Sequence, residues 1–240
     1  EPQCIYAEPD MNCPIFFDMP DGTRQTFHFP KVFSQATYMI NAAQCRPHSI
    51  FGITMLGKNH FGSIYDGKAY LPSPLHAFDL LNEIHPNKYG SPHCNPSLLG
   101  HQVTNEKTFF YLLDGLYTSY TQTGDIVRWS TLGNDWFSSL LMSQDPIALD
   151  SVGYDFVRSE PALTQGNPCF NGHVDNYLHE AALADHPPSG AVYDPEKDGT
   201  TLPSLGVHEH WNNPQEKKYS RNLRIGDGIE LIAVTRNRMN

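Results

Sequence analysis

The sequence has little positive charge, and this scarcity excludes one class of partner. Its 240 residues include 16 lysine and arginine residues against 26 aspartate and glutamate residues, a formal net charge of −10. Most of such a surface would repel the phosphate backbone of DNA or RNA. We therefore expect no nucleic acid partner.

Cysteines and long apolar runs are also scarce. The five cysteines form no Cys-x-x-Cys pair, so neither a zinc finger nor an iron–sulfur cluster is predicted. We expect buried thiols and at most one bridge, with Cys4 and Cys13 as the nearest pair; a catalytic cysteine is the less favoured interpretation. The longest apolar runs, such as residues 138–142, are too short to cross a bilayer.

The N-terminus carries no signal peptide and no initiating methionine. We therefore expect a processed chain whose missing part held a targeting signal. Aromatic residues are abundant, with 12 tyrosines and 13 phenylalanines, whereas charged residues make up only 18%. With 18 glycines and 19 prolines, this composition predicts a rigid, loop-rich protein outside the cytoplasm, either periplasmic or secreted.

The order of apolar segments predicts one α/β domain with a mixed, partly parallel sheet and long loops. Residues 1–34 contain five prolines and are interpreted as an extended N-terminal arm with a hairpin turn at Asp21-Gly22; residues 35–240 form the α/β domain. Strands are predicted over 38–43, 49–56, 108–113, 138–142 and 228–234, and those over 38–43, 108–113 and 138–142 are expected to be buried. Helices are predicted after Ser73-Pro74, after Asp145-Pro146 and near Asp175, which would cap its helix. Residues 86–107 are predicted as a long loop with at most one short turn of helix, and residues 186–206 as a loop.

Three consecutive polar residues, Lys58, Asn59 and His60, lie between two glycines where a predicted strand ends. Ligands bind at the ends of strands in α/β sheets. A lysine there can hold a carboxylate or phosphate, and a histidine can bind metal or carry a proton. The alternative is a structural turn in which Asn59 bonds the backbone. Because glycine lets the backbone approach another group closely, we favour a functional role.

His208 and His210 flank Glu209, and an extended backbone would place both imidazoles on one side with the glutamate on the other. This arrangement suits a divalent metal ion of unknown identity. The alternative, equally compatible with the pattern, is a surface strand with two ordinary histidines. The remaining metal ligands would come from His60, Asp114, Asp150 or His179.

Three aspartates invite different interpretations. Asp145 is explained as the cap of the helix that follows it. Asp150 lies in the first turns of that helix, where the helix dipole alone would favour a carboxylate. Asp114 ends a predicted core strand beside a glycine, so it is the better candidate for metal binding or for a general base.

Taken in order, four of these motifs resemble the DUF362 family. They are an Asn-Ala strand over 38–43, a Gly-x-Thr-x-x-x-Lys-Asn-x-x-Gly segment over 52–62, Asp-Gly at 114–115, and Asp-Pro-x-Ala-x-Asp at 145–150. The resemblance covers residues 36–158 and implies an α/β fold with a site around Lys58, Asn59, Asp114 and Asp150. It supplies no reaction. Because the cysteine run of ferredoxin-type members is missing, no redox role is implied, and residues 1–34 are expected to replace the family's first strand–helix region.

Two functional hypotheses follow. In the first, the protein is an extracytoplasmic, metal-assisted enzyme acting on a small polar substrate, either a carbohydrate or a hydroxy acid. His208 and His210 hold the metal ion with His60, Asp114 or Asp150. Lys58 neutralises negative charge, and Asp114 or His60 moves a proton. In the second, the protein is a non-catalytic cell-surface binding protein or filament subunit whose N-terminal arm packs on a neighbouring copy in a homo-oligomer. We take the first as the working hypothesis.

Overall fold

The computed structural model describes residues 7–68, 73–78, 89–165 and 174–235. The strands, in chain order, are β1 (Pro9–Asp18), β2 (Arg24–Pro30), β3 (Met39–Gln44), β4 (Arg46–His48), β5 (Gly52–Thr54), β6 (Thr108–Gly115), β7 (Thr118–Ser119), β8 (Ile126–Val127) and β9 (Ser139–Ser143). The α-helices are α1 (Lys31–Gln35), α2 (Leu56–Asn59), α3 (Asn95–Gly100), α4 (Gln102–Asn105), α5 (Pro146–Ser159), α6 (Pro161–Thr164), α7 (Val174–Ala182) and α8 (Ser220–Leu223). Single 3₁₀ turns cover His60–Gly62, Ser73–His76 and Ser130–Leu132.

A mixed three-stranded sheet with the order β3-β6-β9 forms the centre of the fold. β3 runs parallel to β6, and β9 runs antiparallel to it. The aromatic and branched side chains of residues 108–113 suit the central position that β6 takes. The predicted α/β class with a partly parallel sheet is confirmed.

One face of this sheet packs on α5, and the close approach requires a glycine. A Cβ atom added at Gly153 would lie 2.5 Å from Leu113 Cδ2 and 2.9 Å from Met55 Sδ. Leu113 belongs to the same buried cluster as Ile147 of α5 and residues of α7. Helices α5 and α7 therefore share one core with the sheet.

The other face of the sheet is open. Ile40, Leu140 and Met142 are 56%, 49% and 56% exposed. The segments 38–43 and 138–142 do form strands, as predicted, but the prediction that they are buried was wrong for this face. Apolar composition alone does not say whether one or both faces of a strand are covered.

The N-terminal segment folds as the predicted hairpin of β1 and β2, with Asp18 opposite Arg24. Gly22 in its turn has a φ of +82°, which explains the glycine there. The boundary between an arm and a domain at residue 35 stays a prediction. The hairpin shares a buried cluster with Phe51 and Leu98, so its described part packs on the rest of the same chain.

Several local predictions were wrong. Residues 228–234 form no strand among the described residues; instead the Asn222 side chain bonds the backbone of Leu231. The segment 49–56 is a strand only over Gly52–Thr54, and residues 95–105 of the predicted loop form α3 and α4. By contrast, the helix predicted after Ser73 is confirmed in its described part, where a 3₁₀ turn over Ser73–His76 is followed by helical residues 77 and 78; residues 79–88 lie outside the described residues.

Cys13, Cys45 and Cys94 are buried, and Cys13 is in no disulfide, so it does not form the bridge considered for it. Cys4 and Cys169 lie outside the described residues. Within the described ranges, no helix combines the length and the apolar character needed to cross a membrane.

Candidate functional site

Helix α5 anchors the segment that carries the paired histidines. Asp145 is its N-cap, as predicted: Oδ1 accepts hydrogen bonds from the backbone N–H groups of Ile147 (2.9 Å) and Ala148 (2.8 Å). Oδ2 accepts a third from Val207 N–H at 2.9 Å. The approach is so close that a Cβ atom on Gly206, whose φ is +148°, would lie 2.0 Å from Asp145 Oδ1. The cap therefore also fixes the start of residues 207–211 against the helix.

Residues 208–210 place the two imidazoles as the sequence predicted. The ring centroids of His208 and His210 are 4.9 Å apart. Glu209 is directed elsewhere, where its Oε1 accepts hydrogen bonds from the backbone N–H and the hydroxyl of Ser220. The backbone of 208–210 belongs to no strand, so hydrogen bonds from side chains take the place of a sheet in holding it.

The third member of the group is Asp175. Its Oδ1 lies 3.0 Å from His210 Nε2. One ligand atom from each of Asp175, His208 and His210 lies within 4.8 Å of the others, and all three residues are partly buried. Asp175 lies in the first turn of α7 and contacts the histidine, in place of the helix-capping role predicted for it.

His210 is held between two carboxylates. Its Nδ1 lies 2.8 Å from Oδ1 of the fully buried Asp155. The hydrogen bonds to Asp155, and then to Asp175, raise the pKa of His210 to about 9. At neutral pH the metal-free ring is therefore an imidazolium that donates to both acids. A metal ion at Nε2 would replace one proton and leave Nδ1–H on Asp155, which is the arrangement common behind metal-binding histidines.

His208 is prepared differently. The Ser151 hydroxyl donates to the carbonyl of Ile147 at 2.7 Å, so its oxygen is left to accept from His208 Nδ1–H at 2.8 Å. Nε2 therefore carries the lone pair. Burial lowers the pKa of His208 to about 3. The ring is neutral at physiological pH, as a metal ligand must be.

Asp150, predicted as a site residue, lies in a different part of the structure. Its carboxylate accepts hydrogen bonds from Leu56 N–H (3.0 Å), Gly57 N–H (2.9 Å) and the Tyr177 hydroxyl (2.9 Å). It is 1% exposed, and burial raises its pKa to about 6. Asp150 thus connects α5 with α2 and α7.

Lys58, Asn59 and His60 lie on α2 and the 3₁₀ turn after it; these elements follow β5, so the polar segment after the strand is helical. Asn59 Nδ2 donates to Asn41 Oδ1 at 2.8 Å, and Asn41 Nδ2 lies 3.3 Å from His60 Nε2. Burial lowers the pKa of His60 to about 4. Lys58 Nζ lies 3.9 Å from the centre of the Phe61 ring. These side chains form a second polar cluster beside β3.

Asp114 lies near the end of β6 as predicted, and its Oδ1 accepts a hydrogen bond from Leu116 N–H at 2.9 Å. The expected ligands His60, Asp114 and Asp150 do not join the histidine pair in the group described above. Sequence reasoning assigned no functional role to Asp155, Ser151 and Asp175. A signal for two of them was present, because Ser151 and Asp155 are four residues apart and so share a face of α5.

Fold and site together define an α/β protein with a candidate metal-binding group of two histidines and one aspartate. The chain belongs to the DUF362 family: the family model described as "Domain of unknown function (DUF362)" matches residues 8–155. The resemblance is thereby confirmed, and the match also includes most of the segment that was expected to replace a family region. No curated protein and no solved structure shows a significant match. The matched range ends within α5, so Asp175, His208 and His210 lie beyond it.

Proposed function

We propose that this protein is a metal-assisted enzyme whose divalent metal ion is bound by Asp175, His208 and His210. The observation that carries the proposal is the proximity of the three ligand atoms, all within 4.8 Å of one another. The support is strengthened by the partners of the two rings, since Asp155 and Ser151 each occupy an Nδ1 and direct an Nε2 toward the group.

The donor set suits catalysis better than a purely structural role. Two imidazoles and one carboxylate leave coordination positions open, and both zinc and ferrous iron use such sets in enzymes. A metal ion with an open position polarises a substrate oxygen or lowers the pKa of a bound water. All three ligands are only partly buried, so a small substrate can reach the group.

Between the two expected substrate classes, the surroundings favour a hydroxy acid over a neutral carbohydrate. Arg158 Nε donates to Asp155 Oδ1 at 2.7 Å, next to the His210 contact, and its side chain is 32% exposed. A guanidinium carries further N–H donors in a fork that matches a carboxylate. We therefore assign to Arg158 the charge-neutralising role that the sequence suggested for Lys58.

The first experiment measures metal content. The chain is purified without a polyhistidine tag and analysed by plasma mass spectrometry, together with the variants His210→Ala and Asp175→Asn. His186→Ala is the matched control, because that side chain is 69% exposed and contacts Asp185. We expect stoichiometric metal in the parent and the control, and little in the other two. Absence of metal from the parent, even after incubation with zinc, manganese or ferrous ions, would contradict the proposal.

Catalysis is tested on the same proteins with a panel of hydroxy-acid esters and amides, with glycosides as the comparison class. Turnover should stop on chelation, return on addition of metal, and be weakened by Arg158→Gln mainly through KM. Location outside the cytoplasm is a separate proposal that rests on composition. Fractionation of native cells tests it.

The open face of the central sheet favours a second candidate, a non-catalytic assembly subunit. Ile40, Leu140 and Met142 are exposed apolar residues on strands of this sheet, and exposed apolar sheet surface is a common site of protein–protein contact. Light scattering of the parent and of Met142→Glu distinguishes the two candidates. Oligomers that the glutamate dissociates, in a protein without metal, would support assembly.

A further inference from the structure

We propose that His179 is a fourth ligand of this metal centre, so that its donor set is three imidazoles and one carboxylate. This inference rests on the proposed function, because it assigns another ligand to the same metal ion. A water or a substrate oxygen then enters as a fifth ligand, a coordination number that zinc can reach and that ferrous iron commonly exceeds. It adds a residue that belongs to neither the histidine pair nor the compact three-residue group.

The position of His179 follows from the helix that carries Asp175. The two residues are four apart on α7, so their side chains project from the same face about one turn apart. The ring of His179 lies 4.5 Å from the ring of His208, centroid to centroid, at 81°. His208 is in turn 4.9 Å from His210 at 87°. Three imidazoles are therefore in series, with Asp175 beside them.

Hydrogen bonding prepares His179 in the same way as the other two rings. Its Nδ1 lies 2.7 Å from the carbonyl oxygen of Asp175. A carbonyl can only accept, so Nδ1 carries the proton and Nε2 keeps its lone pair. The corresponding acceptors are Ser151 for His208 and Asp155 for His210. Each of the three rings thus has its Nδ1 occupied by an outer partner. Nε2 can bind a cation directly in His179 and His208, and in His210 after the ion replaces the proton that Nε2 donates to Asp175.

The distances require a contraction of the site on binding. Zinc–nitrogen bonds of about 2.0–2.1 Å place tetrahedral ligand atoms roughly 3.3 Å apart. Even the three-residue group, at up to 4.8 Å, is wider than this. His179 lies outside that group, so its Nε2 must move toward the other ligand atoms when the ion binds. The ring is half-buried between the His208 ring and Tyr89, and Tyr89 is 57% exposed, so the Tyr89 side of the ring is near solvent.

Charge does not oppose the larger set, because a neutral imidazole adds a donor without adding charge. Two carboxylates lie near the ligand atoms, Asp175 beside His210 Nε2 and Asp155 at His210 Nδ1, and Asp155 is also paired with Arg158.

The experiment titrates metal-free protein with Zn²⁺ by calorimetry and with Co²⁺ by visible absorption. The parent is compared with His179→Ala, with His179→Gln, which retains a donor for the Asp175 carbonyl, and with the control His186→Ala. Loss of an outer partner costs 10–100-fold in metal affinity, so loss of a ligand should weaken Zn²⁺ binding by at least ~100-fold. The intense visible bands of four-coordinate Co²⁺ should weaken in both His179 variants and persist in the control.

The outcomes separate the two proposals. If the parent binds neither ion, the proposed function fails. If the parent and both His179 variants bind Zn²⁺ equally and give the same Co²⁺ spectrum, the metal centre stands and the role of His179 is refuted. Circular dichroism of each metal-free variant shows whether it is folded. If His179→Ala is not folded, the result for His179→Gln decides.

Discussion

The substitution Asp155→Asn should destabilise the protein more than any other Asp→Asn or Glu→Gln substitution near the site. The carboxylate is fully buried and accepts four hydrogen bonds. Oδ1 accepts from His210 Nδ1 (2.8 Å) and Arg158 Nε (2.7 Å), whereas Oδ2 accepts from Trp211 N–H and the Tyr219 hydroxyl, both at 2.9 Å. An asparagine amide keeps only one acceptor oxygen. Its NH₂ group, which is itself a donor, then faces the two donors that contacted the other carboxylate oxygen.

The magnitude follows from which donor is left without a partner. If the NH₂ group faces Trp211, the buried backbone N–H of Trp211 loses its acceptor. If the NH₂ group faces Arg158, the charged guanidinium loses its acceptor. Each such loss costs about 1–3 kcal/mol, and removing one partner of a buried ion pair costs about 3–5 kcal/mol in total. We therefore expect Asp155→Asn to lower the free energy of unfolding by about 3–5 kcal/mol. Metal affinity should fall by about 10–100-fold, because the outer partner of His210 is changed.

The assay is urea denaturation of the metal-free protein, followed by tryptophan fluorescence and by circular dichroism. Asp227→Asn is the control, since it makes the same chemical change at an exposed carboxylate. The control should shift the unfolding free energy by less than about 0.5 kcal/mol. A loss below about 1 kcal/mol in Asp155→Asn would show that this carboxylate does not organise the histidine segment, and the reasoning about the site would fail with it.

Two further predictions concern pH and packing. The pKa of His210 is raised to about 9 in the folded chain, so its ion pairs stabilise the metal-free protein fully below about pH 6.5 and lose that contribution as pH rises through 9. Unfolding free energy should fall by up to ~3 kcal/mol over this window, and His210→Gln should flatten the profile; an unchanged slope would contradict the assignment. Gly153→Ala should cost about 1–3 kcal/mol despite its better helix propensity, because its Cβ would lie 2.5 Å from Leu113 Cδ2. A thermal midpoint that rises would show that the sheet and helix can separate at no cost.

Patterns confined to one element predicted much of the fold. The hairpin turn at Asp21-Gly22 and the helix start at Asp145-Pro146 are both confirmed. The conformation of a turn or a helix cap depends on neighbouring residues, so a local pattern is enough to predict it. The strand predicted at 228–234 shows the limit of such patterns. Alternating apolar residues form a strand only beside a partner, and there Asn222 bonds the backbone of Leu231 through its side chain.

In the candidate site, too, only the features set by local geometry could be predicted from the sequence. The placement of His208 and His210 on one side follows from local geometry and agrees with the structure. The choice of Asp175 as their neighbour depends on how α7 packs against residues 207–211. The spacing of residues in the sequence does not predict this tertiary contact.

Helix geometry explains why Asp150 does not reach the histidines although it shares α5 with their partners. At 3.6 residues per turn each residue advances about 100°, so Ser151 and Asp155 differ by about 40° and point in nearly the same direction. The side chains of Asp150 and Asp155 differ in direction by about 140°, so they contact different neighbouring elements. The structure agrees: Ser151 and Asp155 contact residues 208–211, whereas Asp150 contacts α2 and α7. Once α5 is assigned, its own periodicity therefore separates the carboxylate that holds the helices together from the side chains that orient the proposed metal ligands.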